Sequence, residues 1–408
     1  MRTNYRQFIV ALIVPIVVTA GRSQSHAQPQ RHRLDPAPKE LRLSADSVSL
    51  PMERYLGWAV VEALVNGNGP YRFLIDTGAP GIFVRTELVE EMKLSAHPDF
   101  GGAGMQIRVA GPGGKGIPAT LHQMKSLKLG DSELIELNTI ATKMPMPRRI
   151  AGVIGMGVFG DCLLTFDYPA SKITLARDKL PPVNGRDILD FSQPRQQGSH
   201  PVISVDLCGQ PVDFTLDTGS TGWFVFTTEA AAHCSFAYGP VDGPKGRTID
   251  RDLDTRVARL DGQLKFGRYV VQNPHGVVSP EGHQSSLIGS RMLEKFAITL
   301  DQENSRIRFA RSDSSSITPP AFRVAGFSLQ DEDVGFVVWG MMPGSSAEKA
   351  GLKDGDIVVE IQGKPASELY GTTSWDKLLE GEEFGIQFRP AGSTDTRHIT
   401  VSVWELVP

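Results

Sequence analysis

One pattern occurs twice in this chain and constrains its fold more than any other feature. Phe73-Leu74-Ile75-Asp76-Thr77-Gly78-Ala79 returns 141 residues later as Phe214-Thr215-Leu216-Asp217-Thr218-Gly219-Ser220. The likeness extends in both directions. "GPYRFLIDTG" (69–78) faces "GQPVDFTLDTG" (209–219), and "GIFVRTELVEEM" (81–92) faces "GWFVFTTEAAAH" (222–233). Farther on, "LKLGDSELIEL" (127–137) resembles "LKFGRYVVQNP" (264–274), and "VIGMGVFGDCLLTFDYPASKITLAR" (153–177) faces "LIGSRMLEKFAITLDQENSRIRFAR" (287–311). Ile154 precedes Asp167 by 13 residues, and Ile288 precedes Asp301 by 13. One unit of roughly 120 residues is present twice, so two like lobes are expected.

In each copy an apolar strand ends in a carboxylate followed by a glycine turn. An ionised carboxylate in an apolar setting is costly unless something pairs with it or shares its proton. Two such strands related by a pseudo-twofold axis would bring Asp76 and Asp217 together. Like charges that close cannot both ionise comfortably, so one holds the proton and the other is basic. Such a dyad can polarise a water and protonate a carbonyl oxygen or leaving nitrogen, which is the chemistry of non-covalent amide hydrolysis. Gly78 and Gly219 permit the tight turn. The hydroxyls of Thr77 and Thr218 can bond across to the other copy's backbone. Ser220, standing where the first copy has Ala79, offers a hydroxyl to Asp217. That predicts Asp217 to be the more acidic partner and Asp76 the proton holder. The bland reading of the two aspartates is a pair of turn residues capping short segments.

Other chemistries lack their motifs. Gly155, Gly157 and Gly160 fit the G-x-G-x-x-G spacing, but the chain runs on into strands and a turn rather than a long helix. Only the first of these glycines has a counterpart in the second copy. There is no H-E-x-x-H and no G-x-S-x-G, and the nine histidines show no metal-ligand spacing. "GPGGKG" (111–116) lacks the ending of a phosphate loop. No metal and no organic cofactor are expected. A net charge of −4 gives no electrostatic argument for nucleic acid or an anionic membrane.

With both motifs in view, the two copies resemble the lobes of aspartic peptidases, specifically the retropepsin-like branch. The residues that carry the resemblance are 74–79 and 215–220, with Val153-Ile154-Gly155 and Leu287-Ile288-Gly289 as the family's second motif. It covers roughly 55–175 and 200–311. It implies a catalytic dyad of Asp76 and Asp217, supported by Thr77, Gly78, Thr218, Gly219 and Ser220. It implies that Ile154, Gly155, Ile288 and Gly289 lie beside the catalytic loops in a psi-shaped crossing. It also implies a flap over an extended polypeptide substrate. The glycine-rich "FGGAGMQIRVAGPGGKGIPA" (100–119), with Gly101, Gly102 and Gly104, reads as that flap or as a flexible surface loop, and it lacks the tyrosine of pepsin-like flaps. The counterpart near 241–250 has fewer glycines.

Both ends of the chain carry something else. Arg2, Arg6 and the 13-residue apolar run Phe8 to Ala20 read as a signal peptide, with cleavage after Ala20 or Ala27. Thirteen residues containing Pro15 are short for a membrane span, which needs roughly 20. An exported protein, periplasmic or extracellular, is expected. In such a compartment the three cysteines allow at most one intrachain disulfide. Cys162 in "CLLTF" reads as buried, and a Cys208–Cys234 bridge stays open. After the Ser/Pro-rich "SDSSSITPP" (312–320), residues 333–369 resemble a PDZ domain of the bacterial, protease-associated kind. The residues that carry this are Gly335-Phe336-Val337-Val338, Pro343-Gly344-Ser345, Ala350-Gly351-Leu352 and Gly355-Asp356. The resemblance implies that Gly335, Phe336 and Val337 take a chain-terminal carboxylate, the peptide adding as a strand. The alternative is a domain that packs on the peptidase and binds nothing.

The expected fold is mainly β: two retropepsin-like β-barrel lobes in a bilobal acid-protease arrangement, plus a small α+β PDZ-like domain. The expected boundaries are a signal peptide at 1–27, a polar segment at 28–54 (a pro-segment or a tail), lobe 1 at 55–178 and a linker at 179–199. Lobe 2 follows at 200–311, a second linker at 312–325 and the PDZ-like domain at 326–408. Both half-sites lie in one chain, so a monomer suffices. The expected activity is aspartic endopeptidase, with a catalytically inactive peptide-binding scaffold of the same fold as the alternative.

Overall fold

The structure is a computed structural model and describes residues 16–20, 37–98, 105–111, 114–193, 200–279, 285–313 and 316–408. It is mostly strand, in two lobes and a smaller C-terminal domain.

Each lobe is built on the same three-strand crossing. In lobe 1 the strand Asn68–Asp76 pairs antiparallel with Trp58–Val65 on one side and parallel with Gly152–Gly155 on the other. In lobe 2 Gln210–Asp217 pairs with Val202–Leu207 and with Ser286–Gly289 in the same senses. The strand ends share a burial pattern, with the outer residues exposed or half-buried and the last four buried. A third sheet joins the lobes in the order 188–190, 306–310, 297–301, 163–167, 172–176, 47–51. Its central pair, Leu163–Asp167 against Ala297–Asp301, is the repeated segment of the two copies meeting itself. One apolar core runs through both lobes, with Phe73, Phe166, Phe214, Phe226 and Phe309 almost fully buried.

Two segments expected to lie outside the lobes are woven into them. Glu40–Leu43 pairs with strand Ser132–Thr142, and Ser47–Pro51 forms the outer strand of the joining sheet. The reason is a sparse apolar alternation in a polar background. Leu43, Val48, Leu50 and Met52 are buried, each worth about 1.5–3 kcal/mol. Residues 40–43 and 47–51 are therefore paired into the lobe sheets. The inter-lobe linker likewise contains a strand, Ile188–Asp190, paired with Arg306–Ala310.

In the expected leader, Ile16–Ala20 forms a strand antiparallel to Met105–Val109, while Ala27 lies outside the described residues. Among the described residues no helix is long and apolar enough to cross a membrane. Cys208 and Cys234 form the disulfide, with Cα atoms 5.7 Å apart, and Cys162 is free and buried.

The C-terminal domain has its own core around Phe327, Val338, Ile361, Trp375 and Phe384. Its sheet runs 328–332, 335–339, 357–361, 383–389, 397–402. The helix Thr373–Glu380 starts at a Thr372 side-chain cap and buries Trp375. Phe322–Val324, expected in the second linker, pairs with Trp404–Val407 and belongs to this domain. Arginines of the lobes dock it. Arg291 chelates Asp376, Arg149 meets Asp331 at 3.5 Å, and Arg247 donates to Gln330 at 2.8 Å while lying 4.0 Å from the Trp339 ring centre. Arg259 donates to the carbonyls of Pro319, Pro320 and Pro408.

Candidate active site

The register places the two motifs of each copy side by side. Gly155 is paired with Asp76 and Ile154 with Ile75, while Gly289 is paired with Asp217 and Ile288 with Leu216. Steric demand explains the glycines. A Cβ on Gly155 would run into the Ala79 carbonyl oxygen, and one on Gly289 into that of Gly222. The crossing is then pinned by backbone bonds, Met156 N–H to Ala79 O at 3.1 Å and Ser290 N–H to Ser220 O at 2.7 Å.

The two Asp-Thr-Gly loops face each other. Thr77 and Thr218 interlock them with four hydrogen bonds. The Thr77 hydroxyl donates to Leu216 O (2.6 Å) and accepts from Thr218 N–H (3.1 Å). The Thr218 hydroxyl donates to Ile75 O (2.9 Å) and accepts from Thr77 N–H (3.0 Å). Each hydroxyl thus donates once and accepts once across the lobe boundary. Gly78 and Gly219 have a different reason from the expected turn, since neither has a positive φ. A Cβ on Gly78 would lie 2.7 Å from Asp217 Oδ1, and one on Gly219 would strike Asp76 Oδ2. They make room for the opposite carboxylate.

Asp76 and Asp217 are both fully buried. Asp76 Oδ1 accepts from Gly78 N–H (2.7 Å), and Asp217 Oδ1 accepts from Gly219 N–H (2.8 Å) and Ser220 N–H (3.0 Å). The two carboxyls lie within hydrogen-bonding reach of each other, and apart from that contact neither Oδ2 has a partner within the chain. Burial raises both pKa values. Asp76 is pushed well above the ordinary carboxylate range by burial and then by the Asp217 charge. Asp217, relieved by its backbone donors, is pushed up only to about 6. Where the sequence suggested a bond from the Ser220 hydroxyl to Asp217, the contact is made by the Ser220 backbone N–H.

One hairpin from each lobe meets the other. The lobe 1 hairpin of Met105–Val109 and Ile117–Leu129 lies in the expected flap, although Gly101, Gly102 and Gly104 lie outside the described residues. Its tip meets the lobe 2 counterpart, where Gly246–Arg247 pairs with Asp252–Leu253. Gly116 N–H donates to Asp250 Oδ2 at 2.7 Å. Ile249, at the lobe 2 tip, is buried in a lobe 1 cluster with Ile107 and Val109.

Trp58 escaped the sequence reading. Its indole N–H donates to Gly219 O at 2.7 Å, so lobe 1 braces the lobe 2 catalytic loop. The available signal was a tryptophan at the head of the strand before Asp76, in a position where the second copy has His200.

The PDZ residues need correction. Gly335, Phe336 and Val337 lie in a strand flanked by Ser328–Glu332 on one side and Ile357–Ile361 on the other. Both edges are occupied, so no peptide can add there. Phe336 is buried against Tyr370 and lies 5.5 Å from the Arg149 guanidinium. Ser328–Glu332 forms one edge of this sheet and Arg397–Ser402 the other. Among the described residues no cluster of three or more His, Cys, Asp or Glu side chains could hold a metal.

Comparison with known proteins agrees with this architecture. An aspartyl protease family profile matches residues 61–158 and 203–292, and a PDZ domain profile matches 321–374. No curated protein matches the chain. Among solved structures, an aspartic proteinase from Irpex lacteus is 14% identical, covering 65% of this chain and 98% of its own, with a TM-score of 0.39. Basic 7S globulin from soybean is 13% identical, covering 66% and 95%, with a TM-score of 0.38. Conglutin gamma from lupine seeds is 13% identical with the same coverage and a TM-score of 0.39. These likenesses are too slight to bear on activity. By its two repeats and its C-terminal domain, the chain belongs to the aspartyl protease family and carries a PDZ domain.

Proposed function

We propose that the protein is an aspartic endopeptidase in which Asp76 and Asp217 activate one water against the peptide bond of an extended polypeptide. The observation that carries this reading is the buried carboxylate pair, held face to face by the crossed threonines with neither Oδ2 atom claimed by a group outside the pair. Asp217, the partner that ionises first, serves as general base and takes the proton of the attacking water. Asp76, the proton holder, gives its proton to the carbonyl oxygen. As the tetrahedral intermediate collapses, Asp217 passes the proton it took from water to the leaving nitrogen and Asp76 recovers one from a hydroxyl of the intermediate, which restores the pair. The dry setting keeps the shared proton on the pair. Substrate enters when the Ile249 and Gly116 contacts between the hairpins part. The basic start and apolar run of residues 2–20 support export, and one chain supplying both aspartates supports a monomer.

The test is cleavage of an unfolded protein across pH 4 to 7. Asp76→Asn and Asp217→Asn are each expected to lower the rate by about 10²–10⁴-fold. Cleavage untouched by either substitution would refute the dyad. A second reading, an inactive peptide-binding scaffold, draws on the complete burial of both aspartates. It predicts no cleavage by the wild type at any pH in that range.

A further inference from the structure

The lobe 2 catalytic loop continues past the dyad into a cavity of about 620 Å³. Ser220, whose N–H holds Asp217, stands at the near wall with Thr221 and Gly222. The far wall is the edge strand of the PDZ sheet, Ser328 to Asp331. The volume falls within the range of about 300–1,000 Å³ typical of ligand sites.

Three features of the walls specify the occupant. First, Leu329 N–H points out of the sheet, to the Tyr370 hydroxyl at 3.2 Å. Strand alternation makes Asp331, two residues on, present its N–H and C=O in the same outward direction. An extended backbone pairs with such an edge. Second, Trp223 and Phe322 line the cavity and are half-buried, unlike the enclosed aromatic residues of the PDZ core, while the ring of Trp339 is taken by Arg247. Trp223 and Phe322 offer apolar faces to a side chain. Third, His275 also lines the cavity, 5.8 Å from Trp223 and 5.7 Å from Phe322 between ring centres. Its Nε2 is buried without a partner, while the ring bonds the Pro320 carbonyl through its other nitrogen. With Nδ1 held by Pro320 and Nε2 shut off from the cavity, the His275 ring serves to seat the Trp223 and Phe322 rings. The lobe contacts of Gln330 and Asp331 fix the distance between the two walls.

We propose that this cavity is the outer part of the substrate channel: one extended polypeptide lies in the catalytic cleft and, farther along, pairs with the PDZ edge at Asp331. The substrate class is an unfolded chain bearing an apolar or aromatic side chain several residues from the scissile bond. The PDZ domain and the peptidase then read one ligand between them. This rests on the peptidase reading, and the test separates the two.

Two plugs enter from opposite walls. A Cβ on Gly222 meets nothing within 4 Å, and Ala321 lines the other side, so Gly222→Trp and Ala321→Trp place an indole in the cavity. Substrates are reduced, carboxymethylated α-lactalbumin and a quenched hexapeptide spanning the scissile bond alone. Each plug is expected to lower the ratio of kcat/KM for the long over the short substrate at least tenfold, mostly through KM. An unchanged ratio in both plugs overturns the proposal. Binding of the labelled long chain to Asp217→Asn protein is read in parallel by fluorescence anisotropy. Affinity at least tenfold weaker in the plugs supports the site whether or not the wild type cleaves, and unchanged affinity in both plugs overturns it. Plug-sensitive binding without wild-type cleavage would remove the peptidase reading and keep the cavity as a polypeptide site.

Discussion

Lobe 1 and lobe 2 build the same loop from Asp, Thr and Gly, yet their carboxylates are held differently. Asp76 takes one N–H from its own loop, and Asp217 takes two. Lobe 1 also sends the Trp58 indole into the loop of lobe 2, where strand register would match it with His200. The shared parts are those that sterics dictate. Gly78, Gly155, Gly219 and Gly289 each face an atom that a Cβ would strike, and Thr77 and Thr218 exchange identical bonds. The unequal parts are electrostatic. Symmetry thus supplies the approach of two acids, and the departure from it lies in the backbone donors that each one receives.

The largest effect expected from this inequality is on stability as pH changes. A carboxylate whose folded pKa lies above its unfolded value binds its proton more tightly in the folded state. Its contribution is complete below the unfolded value, near 4, and is lost as pH rises through the folded value. For Asp217 that loss falls between about 4 and about 6, while Asp76, held higher, keeps its proton through the same window. Urea midpoints at pH 4, 5, 6 and 7 should therefore fall for wild type relative to an Asp76→Asn/Asp217→Asn double variant. A constant difference between the two proteins would mean that neither carboxyl is raised by burial.

The glycines of the second motif test the other half of the comparison. Gly155→Ala and Gly289→Ala should each destabilise by about 1–3 kcal/mol, because the methyl group meets backbone that cannot swing away. The sharper expectation is equality, since Ala79 and Gly81, whose oxygens face Gly155, correspond to Ser220 and Gly222, whose oxygens face Gly289. A thermal melt in which one substitution is harmless would show that the two crossings are not equivalent.

What was legible in the sequence follows from range. The paired Asp-Thr-Gly loops and their Gly partners were readable because each is a local pattern written twice, and the pairing of Ile154 with Ile75 and Ile288 with Leu216 follows from it. Strand order in the PDZ domain was not. Gly335–Trp339 has the composition of a peptide-binding strand, but the hairpin back to Ser328–Glu332 covers its edge, and edge exposure depends on pairing rather than on residue type. The strands at 40–51 hid behind polar neighbours, with only Leu43, Val48 and Leu50 marking the buried face. The Cys208–Cys234 bridge needed tertiary proximity, because 26 residues of separation fix no distance. Trp58 was invisible for a similar reason: its partner lies 161 residues away in the other lobe.

The smallest expected effect discriminates between two causes of the same asymmetry. If the Ser220 hydroxyl acidified Asp217, Ser220→Ala would raise the acid limb of the pH–rate profile. In the structure Asp217 Oδ1 is held by the backbone N–H of residue 220, which alanine retains. Ser220→Ala is therefore expected to leave that limb within about 0.3 of a unit of wild type, well under the roughly 1.4 kcal/mol that a full unit represents. Pro at the same position would remove the donor, leave one N–H on each side, and bring Asp217 closer to Asp76. An alanine variant that shifts as far as proline would return the asymmetry to the hydroxyl. The unequal dyad would then hang on one side chain, the difference between Ala79 and Ser220, rather than on how the two loops present their backbone.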